Sequence, residues 1–135
     1  MPAISWSNKA SINVEELDKQ HEKLAELVNY IYDLDKTAGK GDALDKAFDD
    51  LIESTNSHFT REEELMDHYR HPEHLTHKKN HQELLQKLIE IRDMYYKGNK
   101  DIITGLALIF NSWLMDHLYS DDKKLGEFLN SKGIT

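Results

Sequence analysis

Residues 58–81 read HFTREEELMDHYRHPEHLTHKKNH. Their reading decides the fold. His58 and Glu62 stand four apart, and so do His77 and His81, which puts each pair on one face of a helix. Between them lies His71-Pro72-Glu73, with Pro72 suited to a first helical position and Glu73 favourable to the helix dipole. The stretch therefore predicts the end of one helix, a turn, and the start of the next. Six of the eight histidines fall inside it; the others are His21 and His117.

Working outward, the same period continues on both sides. Upstream, the second helix carries Leu44, Phe48, Leu51 and Thr55 on the face of His58, with Asp42 as its cap and an end near Met66. Before it, Gly39-Lys40-Gly41 is a turn signal. The first helix presents Val14, Leu17, His21, Leu24, Val28 and Ile31 in steps of three and four, with Asn13 and Glu16 as a capping pair. Downstream, the third helix shows His74, His77, His81, Leu84, Leu88, Ile91 and Tyr95 and stops at Gly98-Asn99. A fourth helix starts near Asp101 and shows Ile102, Leu106, Ile109 or Phe110, Trp113 and His117. Residues 1–13 read as an irregular arm carrying Trp6, and Asp121 to Leu129 as a short helical tail. Short turns force neighbours to run antiparallel. The expectation is an all-α, up-down-up-down four-helix bundle, one domain over residues 1–135.

Composition narrows the chemistry. The 135 residues are 39% apolar, enough to fold, with two prolines and six glycines, too few breakers for an all-β domain. A net charge of −8 argues against nucleic acid and anionic membranes, which need a basic patch. There is no cysteine, so any metal must be held by nitrogen and oxygen. The N-terminus lacks an apolar stretch of signal-peptide length, and no run approaches the roughly 20 apolar residues of a membrane span. A cytoplasmic protein is the expectation.

The apolar faces are interrupted at His21, His58, Glu62, His77, His81 and His117. A lone histidine in a seam is usually a satisfied core residue. Here helix direction brings all six to one end of the bundle: the start of the first helix, the end of the second, the start of the third and the end of the fourth. Buried polar groups need partners. Neutral imidazoles and a carboxylate are good ligands for borderline divalent metals, and five nitrogens exceed one tetrahedral ion. Two metals are expected, with Glu62 as one bridge and a second from the segment holding Asp121 and Asp122.

These elements resemble the hemerythrin family, specifically its single-domain bacterial members. The matching residues are Asp18-Lys-Gln-His21, His58-Phe-Thr-Arg-Glu62-Glu63, His71-Pro72, His77-Lys-Lys-Asn-His81, and Trp113-Leu114-Met-Asp-His117 followed by Asp122. The resemblance implies two non-haem iron ions. His77, His81 and His117 would hold one, and His21 and His58 the other. Glu62 and Asp122 would bridge both, with an oxo or hydroxo group. The two-histidine iron would keep an open position for molecular oxygen. Helical period alone favours Asp121 over Asp122, because i+4 and not i+5 returns to the same face. Following the family pattern predicts a bulge or fraying after His117.

The remaining polar residues read as follows. His68 and His71 belong to a solvated turn, and Glu63 and Glu64 face water. Asp18, one turn before His21, is a candidate to orient that ring. Leu114 and Trp113 are expected to line the oxygen pocket. The resemblance implies reversible oxygen binding for storage, transport or delivery, without catalysis, and an oxygen-consuming protein as recipient. The alternatives are a di-iron oxidase or peroxidase and a sensor of oxygen or nitric oxide. Oxygen-activating bundles use Glu-x-x-His at i, i+3, whereas these pairs are i, i+4 and rich in neutral imidazole. Sensors carry an output domain, for which 135 residues leave no room.

Overall fold

The computed structural model describes residues 11–35, 41–98, 105, 112 and 116–135. Three long helices come first: α1 (Glu15–Asp35), α2 (Gly41–Tyr69) and α3 (His74–Tyr96). Gly105, Ser112, Asp116 and His117 are helical where the fourth helix is expected. Trp6, and most of the face from Ile102 to Trp113, lie outside the described residues. From Asp116 the chain stays helical to Ser131, through a π turn at Leu118–Asp122 and a C-terminal helix at Lys123–Ser131. No strand occurs among the described residues.

The seam residues form the core as their spacing predicts. Leu17, Leu24, Val28 and Ile31 of α1, Leu44, Phe48 and Leu51 of α2, and Leu84, Leu88, Ile91 and Tyr95 of α3 are all buried. Each large apolar side chain contributes about 1.5–3 kcal/mol on burial. Thr55 sits in the same seam and satisfies its hydroxyl by donating to the Leu51 carbonyl at 2.7 Å. Helix direction is fixed by long-range pairs. Arg61, late in α2, donates to Glu16 at the start of α1 (2.7 Å), and Arg92, late in α3, meets Asp49 early in α2 (3.4 Å). Neighbours are therefore antiparallel. Such exposed pairs add at most about 1 kcal/mol, so apolar burial dominates.

The helix ends differ from expectation in four places. Asn13 does not cap α1: it takes a left-handed φ of 61°, and the Val14 carbonyl accepts the first helical bond, from the Asp18 amide (2.9 Å). Asp42 lies inside the first turn of α2, which already begins at Gly41. α2 runs past Met66 to Tyr69, since no breaker precedes Pro72. It closes with Arg70 at φ 59°, the Arg70 amide on the Asp67 carbonyl (3.4 Å) and the His71 amide on the Met66 carbonyl (2.9 Å), a Schellman turn. That turn uses the chain through His71, so Pro72 falls in the connection and Glu73 takes the N-cap of α3. Gly98, at φ 101°, ends α3 as predicted.

The arm and the C-terminal helix lock together over the start of α1. Asp18 accepts from the Ile12 amide (2.8 Å) and the Ser11 hydroxyl (2.5 Å). Lys123 donates to the Ser11 carbonyl (2.8 Å) and Asn130 to the Asn13 carbonyl (3.0 Å). Asp18 thus anchors the arm, which corrects its expected role beside His21. Leu125 and Leu129 are fully buried. Between them Gly126 passes so close to Ile12 that a Cβ would overlap the Ile12 carbonyl oxygen.

Candidate metal centre

The end of the bundle opposite the Phe48 core is polar inside. His21, His58, Glu62, His77, His81, His117 and Asp122 are all buried, with Glu62 and Asp122 fully enclosed. Their ligand-type atoms form two overlapping groups, each within 4.8 Å: His77, His81 and His117 with both carboxylates, and His21 and His58 with the same two. Asp122 lies 2.9 Å from His117 Nε2, 3.0 Å from His77 Nε2 and 3.1 Å from His21 Nε2. Glu62 lies 3.1 Å from His81 Nε2 and 3.3 Å from His58 Nε2. Of the expected site residues, Trp113 and Leu114 lie outside the described residues.

The donor atoms crowd together around shared points. The Nε2 atoms of His58, His77 and His81 and all four carboxylate oxygens are buried and make no hydrogen bond. Burying such groups unpaired is costly. Lone pairs that converge on shared points, rather than on neighbours, suit cations seated between them. Five imidazole nitrogens and two carboxylates, with no sulfur, fit a pair of borderline divalent ions.

The charges of the groups follow from these contacts. Burial and the neighbouring Asp122 push the Glu62 carboxyl up, but His58 and His81 hold it below the usual range. Burial also opposes ionisation of Asp122, and His117 foremost, then His21 and His77, hold it well below that range. Burial pushes His117 down, but Asp122 and Asp121 outweigh it and raise it to about 10. Burial dominates at His81 and lowers it.

Helix phase explains Asp122. A π turn carries i→i+5 bonds and so admits one residue more than an α turn. With it, Asp122 reaches His117 Nε2, while Asp121 sits partly exposed, 3.5 Å from His117 Nδ1 and 2.5 Å from the Asn80 amide it accepts from. The irregularity expected after His117 is this turn.

Three residues behind the rings were not singled out for these contacts by the sequence. Gln20 Oε1 lies 2.6 Å from His58 Nδ1, and Glu63 Oε2 lies 3.4 Å from His81 Nδ1. Asp121 takes the matching place behind His117. Glu63 is therefore turned to α3 and not solvated as expected; Glu64 does face water, beside Arg61. The signal was present: Gln20, Glu63 and Asp121 each adjoin a seam residue, which puts them on the flank that a neighbouring helix passes. Phe59, next to His58, stacks flat on His81 with ring centroids 3.8 Å apart.

The other histidines stay outside the cluster. His68 is exposed. His74 Nδ1 lies 3.0 Å from the His71 carbonyl. His71 is buried, 4.8 Å from the Phe128 ring, and burial lowers its pKa. The solvated-turn expectation fails there because the Schellman turn folds His71 back beneath the C-terminal helix.

The family model of the hemerythrin HHE cation binding domain matches residues 13–129. A bacteriohemerythrin of Stenotrophomonas maltophilia is 28% identical over 123 residues, covering 91% of this chain and 79% of the relative. One of Clostridium acetobutylicum is 27% identical over 124 residues, covering 88% and 95%. A crystal structure of wild-type hemerythrin superposes with a TM-score of 0.81 at 25% identity, covering 93% of this chain and 97% of that one. The fold is thus the four-helix bundle that the spacing predicts, and none of the described helices is long and apolar enough to cross a membrane. The chain belongs to the hemerythrin HHE cation binding domain family.

Proposed function

We propose that this chain holds two iron ions in the buried cluster and binds molecular oxygen there reversibly, as a store, carrier or donor of oxygen. The observation that carries the reading is the pair of overlapping donor groups that share Glu62 and Asp122. His77, His81 and His117 would hold one ion and His21 and His58 the other, with Glu62 and Asp122 common to both. The two-histidine side has one nitrogen fewer, which leaves room for a small ligand. When bound, the iron pair supplies reducing electrons and an open position for oxygen.

The protein's part is positioning and exclusion of water. Glu62 and Asp122 bring two carboxylates into a buried site walled by imidazole rings. Phe59 covers His81 on its flat face. Gln20, Glu63 and Asp121 face the outer ring nitrogens, which favours the tautomer whose Nε2 lone pair points inward. Trp113 and Leu114 belong to this proposal as the oxygen pocket. The relatives named bacteriohemerythrin support the reading.

The test is iron analysis with absorption spectra of the anaerobically reduced, oxygenated and then deoxygenated protein. Two irons per chain and a charge-transfer band that appears with oxygen and disappears without it are expected. A colourless protein, or irreversible oxidation with turnover of an added substrate, would overturn oxygen binding in favour of an enzyme.

A further inference from the structure

The outer nitrogens of three of the five ring ligands, His58, His81 and His117, are backed unequally. On the three-histidine side, His81 Nδ1 faces the Glu63 carboxylate and His117 Nδ1 faces that of Asp121. On the two-histidine side, His58 Nδ1 faces a neutral amide, Gln20. The amide contact is the shortest, 2.6 Å against 3.4 and 3.5 Å, so all three groups can orient their rings. Charge is what separates them. Glu63 and Asp121 are only 28% and 21% exposed, so their charges act through less than full solvent screening. A carboxylate drawing on Nδ1–H makes Nε2 a stronger donor, whereas an amide oxygen does so far less.

We propose that this difference in backing ranks the two metal positions: the ion facing His77, His81 and His117 is held firmly, and the ion facing His21 and His58 is the exchangeable one, with Gln20 as the residue that keeps it so. The inference rests on the two-metal reading above. It adds that reading's order of loading and loss. The firm ion enters first on filling and leaves last on stripping. Gln20, Glu63 and Asp121 are positioning residues, acting through the rings they face.

The experiment uses the full chain loaded anaerobically with ferrous iron and challenged with a coloured ferrous chelator. Wild-type protein is expected to release its iron in two steps of one ion per chain. Gln20→Glu should slow the fast step by roughly 10-fold or more and leave the slow step alone, the scale typical of groups behind a ligand. Asp121→Asn should speed the slow step and leave the fast one alone. A slower release is a gain that a damaged fold does not produce, and circular dichroism of both variants checks the helices. Release of both ions at one rate, or a Gln20→Glu effect that is absent or equal on both steps, overturns the ranking while leaving two ions per chain intact. Uptake of fewer than two ions overturns the centre itself, and the ranking with it.

Discussion

Gly126→Ala should destabilise this protein, although alanine is the better helix former. The intrinsic preference favours alanine by about 1 kcal/mol. The added methyl meets the backbone of Ile12, with the Ile12 Cβ 2.9 Å away, so no side-chain rotation relieves the clash. The arm must move, yet it is tied at Asp18, Lys123 and Asn130. Moving it exposes Ile12, now 2% exposed, at about 1.5–3 kcal/mol. It also weakens the charge-assisted bond to Asp18, worth about 1.5–3 kcal/mol. Setting the helix gain against these losses leaves a net destabilisation of about 2–5 kcal/mol, or a Tm lower by roughly 10 °C for a domain of this size. Urea and thermal denaturation of the two proteins measure it. Gly105→Ala is the matched control: that glycine is helical with nothing within 4 Å of its missing Cβ, so the same change should be neutral or stabilising by up to about 1 kcal/mol. A Gly126→Ala midpoint equal to or above wild type would refute the account of the arm.

The other expectations concern the core, the polar cluster and the surface. Phe48→Ala removes a fully buried ring packed 5.6 Å from Tyr95 and should cost about 3–5 kcal/mol in urea denaturation; a loss under about 1 kcal/mol would contradict the packing. In chelated protein, His117 is raised to about 10 from 6.5, so its stabilising contribution is full below pH 6.5 and is lost as pH rises through 10. Asp121 is lowered to about 2 from 3.8, so its contribution is present above pH 3.8 and is lost as pH falls through 2. Above about pH 7 the buried His71 and His81, both lowered, are neutral in either state, so His117 governs and the stability of chelated protein should fall as pH rises to 10; denaturation midpoints that climb over that range would contradict this. Arg61→Ala breaks an exposed pair with Glu16 and should shift stability by less than about 1 kcal/mol, less still at high salt.

The helices were legible because their seam is periodic, and the cluster was legible because its members interrupt that period at positions helix direction brings together. Their ends were less so. Asn13 and Arg70 adopt left-handed backbone without being glycine, and nothing local in the sequence announces it. Asn13 resembled an N-cap because asparagine serves both uses. His71 looked exposed because it adjoins a proline turn; its burial depends on the C-terminal helix, more than fifty positions away, laying Phe128 across it. Glu63 was misread by treating only the seam as interior. A helix in a bundle has flanks as well, and α3 passes over this one. Gln20 and Asp121 were hidden in the same way.

The π turn has a consequence for the end of the chain. Counting from Asp122, the buried residues Leu125 and Leu129 follow at three and seven, on Asp122's own face. Counting from His117 in α-helical steps, that face would instead hold Asp121 and the exposed Lys124. One surplus residue therefore rotates the rod between its two tasks: upstream it aims a ring at the cluster, downstream it aims two leucines at the core. Straightening the π turn into α-helix with all its residues kept would put the two halves out of step, whereas deleting one residue there would let a plain α-helix keep them aligned. The straightened rod could then aim His117 at the cluster or seat Asp122 and its two leucines, but not both, so the alignment of this segment is a shared property of fold and site.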